Sequence, residues 1–302
     1  MSVYRLVSKD QSYIKSVVVR LSTDKPVRKT SYQVKGVLMK EFSDNPIIPF
    51  INGSYRNNYL YPRVQVKILN EQIYLIGIKE GVEPIESISE KLDIMNFGNI
   101  TFKVEDVVTE VSDDGLGSTD KTIQYKFLTP WIALNQINLK RYKALTDKDR
   151  LILLRRLLSQ NIAFVGKEVG LALEERIFVD LNLESLQANL MDEGKMGCFN
   201  GEFRTNFVLP NFIGLGNGIT KGYGVLFSQF NSADFSSEET ELANSQSDNQ
   251  EVVGELPEGW EDEAIDPNDI PRSKRLKKTD KDKEQETEGP NFNTAKYHSK
   301  TH

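Results

Sequence analysis

The segment Tyr59-Leu-Tyr-Pro-Arg-Val-Gln-Val-Lys-Ile-Leu-Asn-Glu-Gln-Ile-Tyr-Leu-Ile-Gly-Ile78 reads as two strands joined by a short turn. Along it, Tyr59, Tyr61, Arg63, Gln65 and Lys67 alternate with Leu60, Pro62, Val64, Val66 and Ile68, which is the period of a strand. Asn70-Glu71 supplies the turn and Gln72–Ile78 the return strand, so a β-hairpin is predicted. Upstream, Ile14–Leu21 is rich in β-branched residues and predicts a strand. Lys29–Phe42 follows, with Tyr32, Val34, Val37, Leu38 and Phe42 forming a helical stripe between lysines. Downstream, Pro84–Leu92 fits a short helix and Ile100–Val111 a further strand.

The order strand, helix, strand, strand, helix, strand is that of a ferredoxin-like unit. Asp113-Asp-Gly-Leu-Gly-Ser118 is a turn-rich break, and a second unit is predicted beyond it. There Thr122–Leu128 reads as a strand. Thr146 caps a long helix through Leu151, Leu154, Leu158, Ile162 and Val165, and Asp147 and Asp149 lie near its positive end. Arg176–Leu183, Cys198–Leu209 and Val225–Phe230 read as strands. The expected architecture is α+β: two tandem ferredoxin-like (RRM-like) domains, residues 1–112 and 113–231, then a tail, residues 232–302. The tail is acidic and poor in large apolar residues. It is expected to be mostly disordered and to add nothing to the core, with Leu256-Pro-Glu-Gly-Trp260 as a candidate docking peptide. Arg272–Lys278 is a basic patch within it, read as a solvated charge run.

The net charge of −6 conceals an asymmetry. Residues 1–231 sum to +3, residues 232–302 to −9, and residues 1–70 alone to +8. A local basic surface binds a polyanion even in an acidic chain, because salt screens distant charges. Cys198 is the single cysteine, so neither an intrachain disulfide nor a cysteine metal cluster is available. No apolar run reaches the ~20 residues of a membrane span, and the first residues are polar, so a cytoplasmic location is expected. Both histidines, His298 and His302, lie at the extreme end, which removes the commonest general base and metal ligand from the body. Asp113-Asp114 is a carboxylate pair that turn chemistry explains, so no metal and no cofactor are expected.

A second informative stretch is Leu209-Pro-Asn-Phe-Ile-Gly214-Leu-Gly216-Asn-Gly218-Ile-Thr-Lys221-Gly222-Tyr-Gly224-Val225. Its spacing is not that of a nucleotide-hydrolase phosphate loop, since Lys221 precedes Gly222 and no Ser or Thr follows. It is not the dinucleotide fingerprint either, whose third glycine would fall at Ile219. A glycine-rich loop can still turn several N–H groups toward an anion, with Lys221 adding a charge. The alternative is a turn between two strands that binds nothing.

The spacing of Gly214, Gly216, Lys221, Gly222 and Gly224, with its lead-in Phe203–Ile213, resembles the glycine-rich loop of the RAMP superfamily of CRISPR proteins. Tyr61–Leu69 with Tyr74–Gly81 is similar to a "YP" hairpin of one group. Leu154–Leu171, with Asn161 and Lys167, resembles that group's central helix. The group is the CRISPR repeat-processing endoribonucleases, the sixth Cas protein, b subtype. The resemblance spans roughly residues 14–230. It implies binding of repeat RNA in a precursor CRISPR RNA and one metal-independent cut per repeat. The ribose 2′-hydroxyl attacks the adjacent phosphorus, leaving a 2′,3′-cyclic phosphate. Subunits of a CRISPR effector complex are implied as further partners.

That chemistry needs a base, an acid and positive charge at the phosphoryl oxygens. The family places histidine just before the "YP" strand, whereas this chain has Asn52 and Ser54 there. The candidate catalytic residues are therefore Tyr55 and Tyr59 with Lys40 and Lys67; Tyr61 is also weighed. These tyrosines read equally as strand residues or stacking platforms for bases. Candidate RNA contacts are Gly214, Gly216, Gly218, Lys221, Gly222, Gly224, Arg204, Lys167, Lys29 and Arg56. Three readings stand: a processing endoribonuclease, a catalytically impaired subunit that holds guide RNA, and a scaffold whose glycine loop is only a turn.

Overall fold

The computed structural model describes residues 14–112, 116–191, 195–228 and 252–270. The first half contains β1 (Ser16–Thr23), α1 (Ser31–Glu41), α2 (Ile48–Ile51), β2 (Val64–Leu69), β3 (Gln72–Ile78), α3 (Val82–Ser89), β4 (Ile94–Asn96) and β5 (Thr101–Ser112). Its five strands form one antiparallel sheet in the order β2-β3-β1-β5-β4. The helix α1 starts at a reciprocal cap. The Gln33 N–H donates to the Thr30 hydroxyl, and the Thr30 N–H donates to the Gln33 side chain. The hairpin turn is as predicted: Asn70 and Glu71 have φ of 46° and 59°, both left-handed, which matches the twist of the flanking strands. Val17, Val19 and Leu21 of β1 pack with Val34 and Leu38 of α1 and Ile85 and Ile88 of α3 in one core.

The second half contains β6 (Gly117–Phe127), β7 (Trp131–Leu134), α4 (Gln136–Lys143), α5 (Asp147–Val169), β8 (Val179–Leu183), β9 (Asn189–Leu190), β10 (Gly197–Phe199), β11 (Gly201–Val208) and β12 (Leu226–Phe227). Four of these strands run β12-β6-β11-β8, and a smaller sheet runs β7-β10-β9. The predicted strand Cys198–Leu209 is thus two strands in two sheets. The break falls at Gly201, φ 147°, where an added Cβ would sit 2.3 Å from the Asn182 carbonyl oxygen. Helix α5 begins at the expected cap, Thr146, and ends at Gly170 with φ 88°. Its buried stripe includes Leu154, Leu158, Ile162 and Val165. Among the described residues no α-helix lies between β11 and β12. The glycine loop occupies that connection, with one 3₁₀ turn at Ile219–Lys221. No helix among the described residues is long and apolar enough to cross a membrane.

Residues 252–270 depart from the expectation of a tail without a role in the fold. They contain β13 (Val253–Gly254) and α6 (Trp260–Glu263) and lie along the second half. Leu226 and Phe227 pair with Phe127 and Lys126, whereas Val253 and Gly254 pair with Ile123 and Thr122. The Gln124 N–H donates to the Val252 carbonyl at 2.9 Å. Both strands run antiparallel to β6, so β13 resumes the edge where β12 leaves it. Trp260 then meets Phe178 edge-on at 6.4 Å, and Ile265 bridges to Ile177. The apolar residues needed for this are few and widely spaced, so composition alone does not reveal them. The rest of the tail, the Arg272–Lys278 patch, both histidines and Asp113-Asp114 lie outside the described residues.

Candidate nucleic-acid interface

The alternation in β2 and the residues before it predicts one polar face, and the structure buries that face. Tyr61, Gln65 and Lys67 are each 0% exposed and Arg63 4%. A buried polar group must find partners, and these find them in the second half. The Tyr61 hydroxyl donates to the Gly214 carbonyl at 3.0 Å and accepts from Gln65 Nε2 at 3.0 Å. The Gly214 N–H donates to Gln65 Oε1 at 3.0 Å, closing the network. Arg63 donates to Glu80 at 2.7 Å and to the Glu168 carbonyl at the end of α5, beside Lys79, which donates to the Val169 carbonyl at 2.9 Å. Two cations thus meet the orphan carbonyls and negative end of that helix.

Two lysines hold the glycine loop from beneath. Lys67 Nζ donates to the Ile219 carbonyl at 2.7 Å, and Lys35 Nζ of α1 donates to the Thr220 carbonyl at 2.9 Å. Burial, with Lys35 nearby, lowers the Lys67 pKa to about 7, and burial lowers that of Lys35 to about 8. Lys67 therefore anchors the loop and does not face solvent. Tyr61 is likewise enclosed, and burial pushes its hydroxyl well above the usual phenol range. It is a strut and not a candidate base.

Within the loop, several glycines answer to packing. A Cβ on Gly224 would sit 2.0 Å from the Leu215 carbonyl oxygen, and one on Gly216 2.8 Å from Ile132 O and from Trp131. Asn161 of α5 accepts from Trp131 Nε1 at 3.1 Å, so it sets the wall on which Gly216 rests. Many loop N–H groups are engaged internally. Leu215 bonds Gly224 O, Asn217 bonds Ile132 O, Tyr223 bonds Gly218 O, Gly224 bonds Pro130 O and Val225 bonds the Thr129 hydroxyl. The broad N–H cradle expected from five glycines is therefore narrower. Among the described hydrogen bonds, the N–H groups of Gly218, Ile219 and Thr220 have no acceptor. These lie beside the exposed side chains of Asn217, Thr220 and Lys221.

The stretch before the hairpin carries an aromatic cluster. Phe50 meets Tyr55 edge-on at 4.9 Å and stacks on Tyr59 at 5.9 Å, and the Arg63 guanidinium lies 4.7 Å over Tyr59. Tyr55 is 37% exposed, and Asn52, Ser54 and Arg56 around it are exposed. Lys40 is exposed in the last turn of α1. Lys29 lies 5.5 Å over Phe97 and donates to Asn99 at 3.4 Å. The structure thus joins Tyr55 and Tyr59 in one cluster and sets Lys67 beneath the loop.

Lys167 and Arg204 are placed elsewhere. Lys167 donates to the Pro267 and Ile270 carbonyls. Arg204 donates to Gln124 at 3.0 Å, and its Nη1 lies 2.8 Å from where a Cβ on Gly254 would stand. Sequence reasoning missed Lys35 as a loop anchor, and also Thr129, whose hydroxyl donates to the Gly222 carbonyl at 2.9 Å. The available signal was four consecutive polar, long-chained residues on one strand face, too costly to bury without a built partner surface.

Sequence profiles of the Cas6b N-terminal domain and the Cas6b C-terminal domain match residues 12–113 and 117–229. An uncharacterized protein of Methanocaldococcus jannaschii is 34% identical over 131 residues, covering 43% of this chain and 88% of its own. A crystal structure of Cas6b aligns with a TM-score of 0.58 at 28% identity, covering 71% of this chain and 99% of that one. A second, described as the CRISPR RNA processing endoribonuclease Cas6b, aligns with a TM-score of 0.54 at 27% identity over the same shares.

Proposed function

The chain belongs to the Cas6b family, and on that footing we propose that it is a CRISPR RNA-processing endoribonuclease that grips repeat RNA at the face of its glycine loop. The observation that carries this reading is the construction of that loop. Three buried side chains of the first half, Tyr61, Lys67 and Lys35, fix carbonyls of the second half at Gly214, Ile219 and Thr220. A connecting turn with no ligand would not need two buried lysine side chains, each costly to desolvate. Each half is read as a ferredoxin-like unit, since β2-β3-β1-β5 and β12-β6-β11-β8 follow one pattern. In the second, the loop stands where the first has α3.

In this reading Lys221 and the N–H groups of Gly218, Ile219 and Thr220 take the phosphate backbone, while Tyr55 and Tyr59 stack bases or serve the proton transfers. Arg56 and Lys40 supply further positive charge. The cut is metal-independent. The 2′-hydroxyl loses its proton as its oxygen bonds to phosphorus, the bond from phosphorus to the 5′-oxygen breaks, and that oxygen gains a proton. The products are a 2′,3′-cyclic phosphate and a 5′-hydroxyl.

The absence of histidine from residues 1–297 favours a second reading, a subunit that binds guide RNA without cutting it. One experiment separates the two. Purified protein is mixed in excess with repeat RNA from its own locus in the presence of EDTA. A single cut ending in a cyclic phosphate supports the endoribonuclease. Tight binding with no cut supports the second reading, and no salt-sensitive binding removes both.

A further inference from the structure

Residues 252–270 contain seven acidic side chains, Glu255, Glu258, Glu261, Asp262, Glu263, Asp266 and Asp269, and no lysine or arginine. They lie beyond the two matched domains, which end at residue 229. Their placement on the second half follows its cations. Lys121 pairs with Glu255. Arg155 bonds Glu263 at 3.0 Å, and Arg176 donates to the Glu261 carbonyl at 2.7 Å. Lys167 donates to the Pro267 and Ile270 carbonyls, and Arg204 lies against Gly254. Two of these five, Lys167 and Arg204, are cations that the sequence assigns to RNA. The segment is anchored by more than charge, through the β13 pairing, the Trp260–Phe178 contact and the Ile265–Ile177 bridge.

Without this strap, Lys121 of β6, Arg155 and Lys167 of α5, Arg176 just before β8 and Arg204 of β11 would lie uncovered, with Asp180 of β8 still paired to Arg155, on a face unrelated to the loop's own anchors, α1 and β2. Such a face attracts any polyanion, because phosphate neutralisation is sequence-independent. We propose that the 252–270 strap is an internal occupant of this basic face that keeps RNA off it, so that RNA engages the protein at the glycine loop. The ligand excluded is the phosphate backbone of single-stranded RNA in general. The expected consequence is discrimination: repeat RNA gains from the loop, and unrelated RNA gains nothing from the covered face. The proposal rests on the RNA-binding reading above.

The test uses the full chain with four of the strap's seven acidic side chains neutralised by Glu255→Gln, Glu261→Gln, Asp262→Asn and Glu263→Gln, leaving its backbone pairing and Trp260 in place. Binding to an unrelated single-stranded RNA is measured against salt concentration. The variant should bind it about fivefold or more tighter at low salt, with a salt slope steeper by about 1.4, equal to two freed phosphate contacts. Repeat RNA should change far less. Adding Lys121→Gln and Arg155→Gln to the variant should abolish the gain; a gain that survives would place the RNA elsewhere and overturn the proposal. A folded variant, by circular dichroism, with unchanged affinity and slope overturns it also. If the four substitutions unfold the chain, Trp260→Ala is used instead to loosen the strap, with the same expected gain. Wild-type protein that fails to bind even repeat RNA would remove the RNA-binding reading itself, whereas wild-type binding with an unresponsive strap removes only this inference.

Discussion

Replacing Lys67 by methionine should change how stability depends on pH. The side chain is fully buried, and burial beside Lys35 brings its pKa from the ordinary 10.5 to about 7. Below pH 7 both folded and unfolded chains carry the proton, and this site contributes no slope. Between about 7 and 10.5 the unfolded chain holds one proton that the folded chain has released, so stability rises with pH. One proton of difference is worth ~1.4 kcal/mol per pH unit. Lys35 adds the same slope above about 8. From pH 8.5 to 9.5 the pair should therefore contribute up to ~2.7 kcal/mol, and the Lys67→Met variant about half of that. Urea denaturation at pH 7.5, 8.5 and 9.5, followed by the fluorescence of buried Trp131, measures both slopes. Equal slopes would refute the reasoning: Lys67 would then titrate as in water, and the polar face of β2 would not be sealed beneath the glycine loop.

Three other perturbations bear on the same geometry. Lys221→Ala removes an exposed cation from the loop, so repeat-RNA affinity should fall and the salt slope should lessen by about 0.7, one phosphate contact, in a filter-binding titration. Gly224→Ala forces a Cβ to 2.0 Å from the Leu215 carbonyl and demands φ of 64° from alanine; thermal unfolding should show a loss of ~2 kcal/mol or more. A chain ending at Ser228 loses β13 and the half-buried Trp260 and Ile265, and its urea midpoint should fall by the equivalent of ~2 kcal/mol.

The sequence carried the elements of the first half well, because local signals agree with the tertiary outcome there. The alternation of Tyr59–Leu69, the Asn70-Glu71 turn and the helical stripe of Lys29–Phe42 each act over a few residues. Thr146 and the leucines of α5 were legible for the same reason. What escaped was long-range. Period 2 shows that Gln65 and Lys67 share a face, but not that the face is covered by a loop some 150 positions later. The break at Gly201 depends on the Asn182 carbonyl, a contact between strands. The strap escaped because three apolar anchors in an acidic segment leave no periodic trace, and its partners Lys167 and Arg204 looked like open cations. Among the glycines, the sequence shows the number but not the division of labour: Gly216 and Gly224 accommodate neighbours, while Gly218 stands at the start of the exposed turn.

The central claim is that RNA is held at the glycine loop fixed by Tyr61, Lys67 and Lys35. Ultraviolet cross-linking of the full chain to its repeat RNA, with the attachment sites read by mass spectrometry, tests it most directly. The account predicts cross-links in residues 216–223 and at Tyr55 or Tyr59. Cross-links confined to the surface around Lys121, Arg155 and Arg204, with the loop unmarked, would contradict it.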